Sequence, residues 1–376
     1  MPSYSSISIP ANNLSGNPII AMLYVADFTS NKFRIHTGIA YADLIYQGNI
    51  YFTNAPVPVD LSELFRTFSD VPFMACKISL LEEDNTEYAS AEFNVYSGGI
   101  SKILSRYLAS ENTDIFARKL KNVDKNFLLT TRTNSRTIYI PENELMPLYY
   151  YAKGLDFELH SNGVNLLTCE FGTATEETRE VIDLNQIRKT AFTANNKLYS
   201  VFDVLTMDHS YCFSIVITKG VVTNNFLKFK NSWNVYELIA LEGLMSYNPE
   251  FDEQIKFFTY DNIVSDFSER STRKSMSHHY TAEVGYSDND KRLFILDAIH
   301  SDDCTLIIDD VEYKVTITAE PGTISDNTGD PKNILLKISL VDKDDRFSKA
   351  TNMKDEFVAT TEGEIIEPFE NYKILF

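Results

Sequence analysis

Two stretches of this chain repeat one short pattern, and that repeat constrains the architecture more than any other feature. Val59-Asp60-Leu61-Ser62-Glu63-Leu64 precedes a spacer and the apolar run Phe73-Met74-Ala75-Cys76-Lys77-Ile78. Ile182-Asp183-Leu184-Asn185-Gln186-Ile187 precedes a longer spacer and Tyr211-Cys212-Phe213-Ser214-Ile215-Val216-Ile217. Each copy follows short strand-like runs with Gly- and Asn-marked turns, and each leads to an aromatic strand, Glu92–Tyr96 in one and Asn225–Lys230 in the other. A true duplication of this kind produces two modules in tandem; a D-L-x-x-[LI] match also arises by chance. The expected fold is mainly β, with tandem β-sandwich (Ig-like) modules, a few short helices and a C-terminal β-rich domain. Composition agrees, since 25 Phe and 21 Tyr beside 14 Gly and one Trp suit half-buried pleated surfaces. The boundaries that follow are a sandwich over 1–98, a helical connector over 99–124, a second sandwich over 125–224 and a β-rich domain over 225–376.

Within that frame, Met1–Pro18 is rich in Ser, Asn and Pro, which predicts an extended arm or loop. Strands are expected at Ile19–Phe28, Asn49–Thr53, Phe73–Leu81 and Glu87–Tyr96, the last two joined by a hairpin loop over Glu82–Thr86. Leu61, Leu64, Phe65 and Phe68 share one helical face, and Asp60 with Glu63 has the spacing of a capping box. Ile100, Ile103, Leu104, Tyr107 and Leu108 give a second amphipathic helix after the Gly98-Gly99 break, and a third starts at Thr113 or Asp114. Beyond Phe226, strands are expected at Gln254–Tyr260, Ser277–Tyr286, Arg292–His300, Cys304–Ile308, Val311–Thr318 and Asn333–Val341. Asp309-Asp310 reads as a two-residue hairpin turn, and Ser325–Pro331 as a loop.

The charge narrows the partners. The 34 Lys and Arg stand against 53 Asp and Glu, a formal charge of −19, so a nucleic-acid partner is excluded, because phosphate neutralisation needs a basic face. An anionic membrane surface is disfavoured for the same reason. The early apolar run Ile19–Ala26 is too short to span a bilayer and lacks a basic n-region, which predicts no membrane anchor and a chain made and kept in the cytosol. Cys76, Cys169, Cys212 and Cys304 lie far apart without a CxxC, so buried free thiols are expected.

Chemistry is sparsely signalled. His278 and His279 are adjacent, so on a regular strand they face opposite ways and do not chelate one ion. His209 with Cys212 and His300 with Cys304 could supply four zinc ligands, but at no recognised finger spacing. The acidic groups Asp288/Asp290, Asp302/Asp303, Asp309/Asp310 and Asp342/Asp344/Asp345 lack the calcium-loop order and read as solvated turns. There is no GxSxG, HExxH, GxxxxGK[ST] or GxGxxG, so no catalytic, cofactor-binding or metal-ligating residue is assigned and the chain is not expected to be an enzyme. Glycosidase chemistry needs only two carboxylates at a set separation, which 53 acids leave unreadable.

Ser268–Tyr280, with Arg270, Arg273 and Lys274, is the one locally basic stretch. It reads as an edge strand protected by charge, or as a patch that meets an acidic neighbouring subunit. The segment Phe226-Leu227-Lys228-Phe229-Lys230-Asn231-Ser232-Trp233-Asn234-Val235-Tyr236-Glu237, running on to Leu241-Glu242-Gly243, resembles tail structural proteins of bacteriophages that infect gut Bacteroides-type bacteria. In those proteins an apolar strand leads to Asn, an acidic residue and an aromatic strand ending at Gly; here Asn231, Glu237 and Gly243 hold those places, with Trp233 and Asn234 where a turn Gly is common. Phe93–Ser101 is similar to such virion proteins as well. The resemblance implies a building block of the tail, baseplate or a ring around the tail axis, made in the host cytoplasm and residing in the virion. Its implied partners are copies of itself and other tail proteins, and no cofactor. The interface elements expected on that basis are the Met1–Pro18 arm, Trp233 with Tyr236 as a packing anchor, the Arg270, Arg273 and Lys274 patch, and Ile374, Leu375 and Phe376 as a docking end. The alternative is a carbohydrate-binding adhesion module contacting a host glycan, which would need a row of exposed aromatics on one sheet face.

Overall fold

Alternating burial builds most of the chain. Ile20–Tyr24 and Val201–Thr206, for example, bury every second residue, as half-covered strands do. The computed structural model describes residues 6–25, 30–50, 55–68, 70–111, 116, 128–132, 136–151, 156–170, 179–261, 263, 266–287, 289–319, 332–344, 358–359 and 365–366. These are mostly strands, arranged in several sheets. The chain divides into two units, one of residues 1–220 with 230–237 and one of residues 221–229 with 238–376.

The first unit holds two sandwiches. In the first, β1 (Ser6–Ser8), β3 (Ile20–Tyr24) and β6 (Val57–Asp60) form a three-stranded sheet. It faces a five-stranded sheet in the order β2 (Asn12–Leu14), β8 (Glu87–Tyr96), β7 (Phe73–Glu82), β4 (Ser30–Thr37) and β5 (Asp43–Asn49). Ala21 and Leu23 from one sheet meet Phe33, Ile35, Ile78, Leu80, Phe93 and Val95 from the other in one core. In the second, β10 (Leu148–Tyr151) pairs β13 (Arg179–Ile182), and the larger sheet runs β12 (Val164–Cys169), β11 (Phe157–Ser161), β14 (Val201–Thr206), β15 (Tyr211–Thr218) and β9 (Thr137–Pro141).

The two halves share one topology. In each, the first strand of the larger sheet pairs parallel with the last, β2 with β8 and β9 with β15, while the strands between them pair antiparallel in matching order. In each, a strand of the smaller sheet runs straight into a helix, Ser62–Arg66 after β6 and Leu184–Asn195 after β13. The repeated Asp-Leu explains why. The Asp183 carboxylate accepts from the Gln186 N–H at 3.0 Å as an N-cap, and Asp60 accepts from the Ser62 N–H at 2.9 Å. The following Leu61 and Leu184 drop into the two cores. Glu63 departs from the expected capping box: it pairs with Arg66 on its own helix instead.

Three other expectations need correction or limits. The N-terminal arm is no free arm, because Ser6–Ser8 pairs β3 and Asn12–Leu14 pairs β8 in parallel. The strand expected over Asn49–Thr53 ends where β5 ends, at Asn49, and residues 51–54 lie outside the described residues. The helix expected after Gly98-Gly99 is present as Lys102–Ser110, whereas the one starting at Thr113 or Asp114 and the loop Ser325–Pro331 also lie outside them.

The second unit is a single large sheet with a helix. Its order is β17 (Tyr236–Ala240), β16 (Asn225–Lys230), β21 (Cys304–Ile308), β22 (Val311–Ala319), β23 (Lys332–Asp344), β20 (Asp266–Ser287) and β18 (Met245–Tyr247), with β19 (Glu250–Asp261) also on β20. The β21–β22 turn is the expected one: Asp309 and Asp310 both take positive φ, 45° and 67°, as a type I′ hairpin requires. Arg292–His300 is not a strand but part of a helix, Asn289–His300. A strand would send Phe294 and Ile295 to opposite faces, whereas one helical face carries Phe294, Ile295 and Ala298 together into the core with Leu227, Phe229, Leu306 and Leu336. A short apolar run does not separate the two periods by itself. Among the described residues no helix is long and apolar enough to cross a membrane.

Candidate functional site

Residues 230–237 of the resembling segment form a tight tip within the first unit. Asn231 ties it together: its Oδ1 accepts from the backbone N–H groups of Trp233 at 2.9 Å and Val235 at 3.2 Å. Its Nδ2 donates to the Leu129 carbonyl at 2.9 Å and to Glu237 Oε1 at 2.6 Å. Asn234 takes a left-handed φ of 55°, which Asn tolerates better than most residues. The side chain of Asn231 thus holds the bend from inside, while Asn234 supplies its left-handed residue.

Beneath the tip lies a buried charge cluster. Glu237 Oε2 accepts from Arg132 Nε at 3.1 Å and from the Thr130 hydroxyl at 3.1 Å, and Arg132 Nη1 also meets Glu144 Oε2 at 2.6 Å. The three side chains are only 9%, 7% and 4% exposed for Arg132, Glu237 and Glu144. Two carboxylates share one guanidinium. Burial pushes the Glu237 carboxyl above the usual range, against the pull of Arg132 and the Asn231 amide. This pair does not form a glycosidase site, since Arg132 bridges the acids and the adjoining cavity of about 10 Å³ holds at most a water.

Trp233 and Tyr236 separate. Trp233, expected at an interface between copies, is 7% exposed and packs with Leu14, Tyr96, Leu129, Tyr151 and Val235 in the core of its own unit. The reason is Gly98, whose φ of 124° and missing Cβ let the tip backbone approach; a Cβ there would stand 2.9 Å from the Ser232 carbonyl. The neighbouring Gly99 N–H donates to that carbonyl at 2.7 Å. Tyr236 keeps 37% of its surface.

Arg270, Arg273 and Lys274 lie on β20, opposite Phe257, Ile255 and Glu253 of β19. Among the described residues, β20 pairs β23 only from Met276 onward, so Asp266–Ser275 is paired by β19 alone. Ten residues at the usual strand rise make a ribbon on the order of 33 Å long, two-stranded among the described residues. A register shift around Ile255 adds local twist. Apolar groups stand exposed along and at the end of the ribbon: Phe251 (62%), Tyr260 (50%), Ile263 (95%) and Phe267 (64%), with the Tyr260 and Phe267 rings 5.2 Å apart across the strands. Ile374, Leu375 and Phe376 lie outside the described residues.

One cluster escaped the sequence reading. Glu158 and His160 share a face of β11, and His209 reaches them from the β14–β15 turn. His160 Nε2 lies 2.8 Å and His209 Nδ1 2.9 Å from the same oxygen, Glu158 Oε2. These two hydrogen bonds, that of His160 foremost, hold the Glu158 carboxyl below its usual range. An E-x-H on an expected strand was the available signal, but His209 is 49 residues on from His160 and only the fold joins them. Of the four ligands weighed for zinc, His209 turns to Glu158, Cys212 bonds the Ser210 carbonyl, His300 the Leu296 carbonyl and Cys304 the Ala298 carbonyl. His278 and His279 part as expected, to Tyr247 and Ser339 on different strands. None of the four cysteines is in a disulfide, and burial pushes the Cys76 thiol up to about 12 and the Cys304 thiol to about 11.

No family model matches the chain and no curated protein matches it. Among solved structures it is similar to fibronectin(III)-like modules of Clostridium thermocellum CbhA, at 10% identity over 57% of this chain and 94% of that one. The TM-score is 0.17, and the likeness carries no argument about function.

Proposed function

We propose that this chain is a structural component of a phage virion tail, at the distal tail, baseplate or a ring, and that it works by self-assembly and not by catalysis. The β19–β20 ribbon is the observation that carries this reading. A two-stranded ribbon is marginal by itself in water, and exposed apolar groups at its end favour burial against a partner. A second copy suits it: the β20 strand of the ribbon contributes Arg270, Arg273 and Lys274 in a chain of net charge −19, so an acidic neighbour complements it. The resemblance of residues 226–243 to phage tail proteins supports the virion setting. Solution mass measurement joined to electron microscopy tests the proposal. A closed oligomer or ring is expected, and a particle that stays monomeric and never joins a ring or virion overturns it. The carbohydrate-binding alternative needs a row of exposed aromatics on one sheet face; Tyr139 and Tyr211 lie on the paired strands β9 and β15, and Tyr46 on β5 of the other sandwich, and a hit on a glycan array would favour it.

A further inference from the structure

We propose that Glu158, His160 and His209 bind one divalent transition-metal ion of the zinc class, which staples the β14–β15 turn to β11. Two imidazole nitrogens and one carboxylate oxygen converge here, all within 4.8 Å of one another. Two imidazoles with one carboxylate form a borderline ligand set that suits zinc better than the hard, oxygen-seeking calcium or magnesium.

The surroundings fit such a site. Phe157 and Leu159 point into the core of the second sandwich, so Glu158 and His160 occupy the opposite face of a strand held on both sides by β12 and β14. Asn165 Nδ2 donates to the free carboxylate oxygen, Glu158 Oε1, at 3.1 Å and is itself anchored on the Thr168 hydroxyl at 2.9 Å. That is the outer-shell support which orients a ligating carboxylate. Metal–ligand bonds of about 2.0–2.2 Å place tetrahedral ligands roughly 3.3 Å apart. The present 2.8 and 2.9 Å separations therefore need only a small outward shift. His209 supplies it: its side chain is 68% exposed on a turn. On binding, the proton on each facing nitrogen leaves or moves to the other ring nitrogen, so the lone pairs turn to the ion. Three protein ligands and an open side leave a further position for water.

Zinc alone, titrated calorimetrically into the full metal-free chain, tests this, with cobalt as the spectroscopic substitute. One equivalent is expected to bind and to raise the melting temperature of the first unit. His209→Ala, at an exposed turn, is expected to fold and to lose that equivalent. Asn165→Ala is expected to weaken binding about 10–100-fold, as outer-shell losses do. His160→Gln gives a second ligand test should His209→Ala not fold. No stoichiometric binding overturns the site, as does binding unchanged in the folded ligand variants. A thiolate-to-cobalt charge-transfer band also overturns it, because the ion would then sit on a cysteine such as the half-buried Cys212.

Discussion

Arg132→Met is expected to destabilise the first unit by about 3–5 kcal/mol, the usual cost of removing one partner from a buried charge pair. The structure places Arg132 between two acids, Glu237 at 3.1 Å and Glu144 at 2.6 Å, all three nearly closed to solvent. Methionine fills much of the volume but leaves both carboxylates without the guanidinium. Each must then take up a proton or pay its desolvation. For a unit of this size the loss corresponds to roughly 6–20 °C in melting temperature. Thermal and urea unfolding at neutral pH, followed by circular dichroism, measures it. A second substitution separates charge from packing: Glu237→Gln added to Arg132→Met removes one stranded charge, so the double variant is expected to recover at least about 1 kcal/mol over the single one. A loss below about 1 kcal/mol in Arg132→Met, or no recovery in the double variant, would refute the claim that these charges are held buried and interdependent.

Glu237 also sets a pH dependence. Its folded-state carboxyl lies above the ordinary value of 4.5, so its contribution is fully present below that pH and is lost as pH rises through the raised value. The melting temperature of Glu237→Gln relative to the native chain is therefore expected to climb as pH rises from 4.5; a difference flat with pH would contradict it. Asp183→Ala removes the cap on the helix Leu184–Asn195 and is expected to cost about 0.5–2 kcal/mol in urea unfolding, with Asp183→Asn recovering most of it.

The β architecture was legible because its signal is local. Alternation and turn chemistry marked Glu87–Tyr96 to the residue and the Asp309-Asp310 turn, and Asp60-Leu61 marked the first helix start, whereas the helix after Asp183-Leu184 was not read. Period alone misled at Arg292–His300, where a compact apolar run fits strand or helix and only the sheet beneath it decides. The N-terminal arm was misread for a related reason: Asn12–Leu14 has little strand character of its own and is recruited by β8. Trp233 was singled out as an interface anchor and is instead buried against its own chain past Gly98, a long-range fact. The same distance hid the Glu158, His160 and His209 cluster and the Arg132, Glu144 and Glu237 cluster, whose members meet only after the sheets and the tip have formed.

The proposed role in assembly rests on the β19–β20 ribbon, and sedimentation of the native chain beside a Tyr260→Ser/Phe267→Ser variant tests it most directly. Both rings are at least half exposed and lie near the end of the ribbon, so the variant is expected to fold with a nearly unchanged melting temperature. The native chain is expected to sediment as a discrete oligomer and the variant as a monomer. A native chain that remains monomeric at every concentration, or a variant that assembles as the native chain does, would contradict self-assembly through the ribbon.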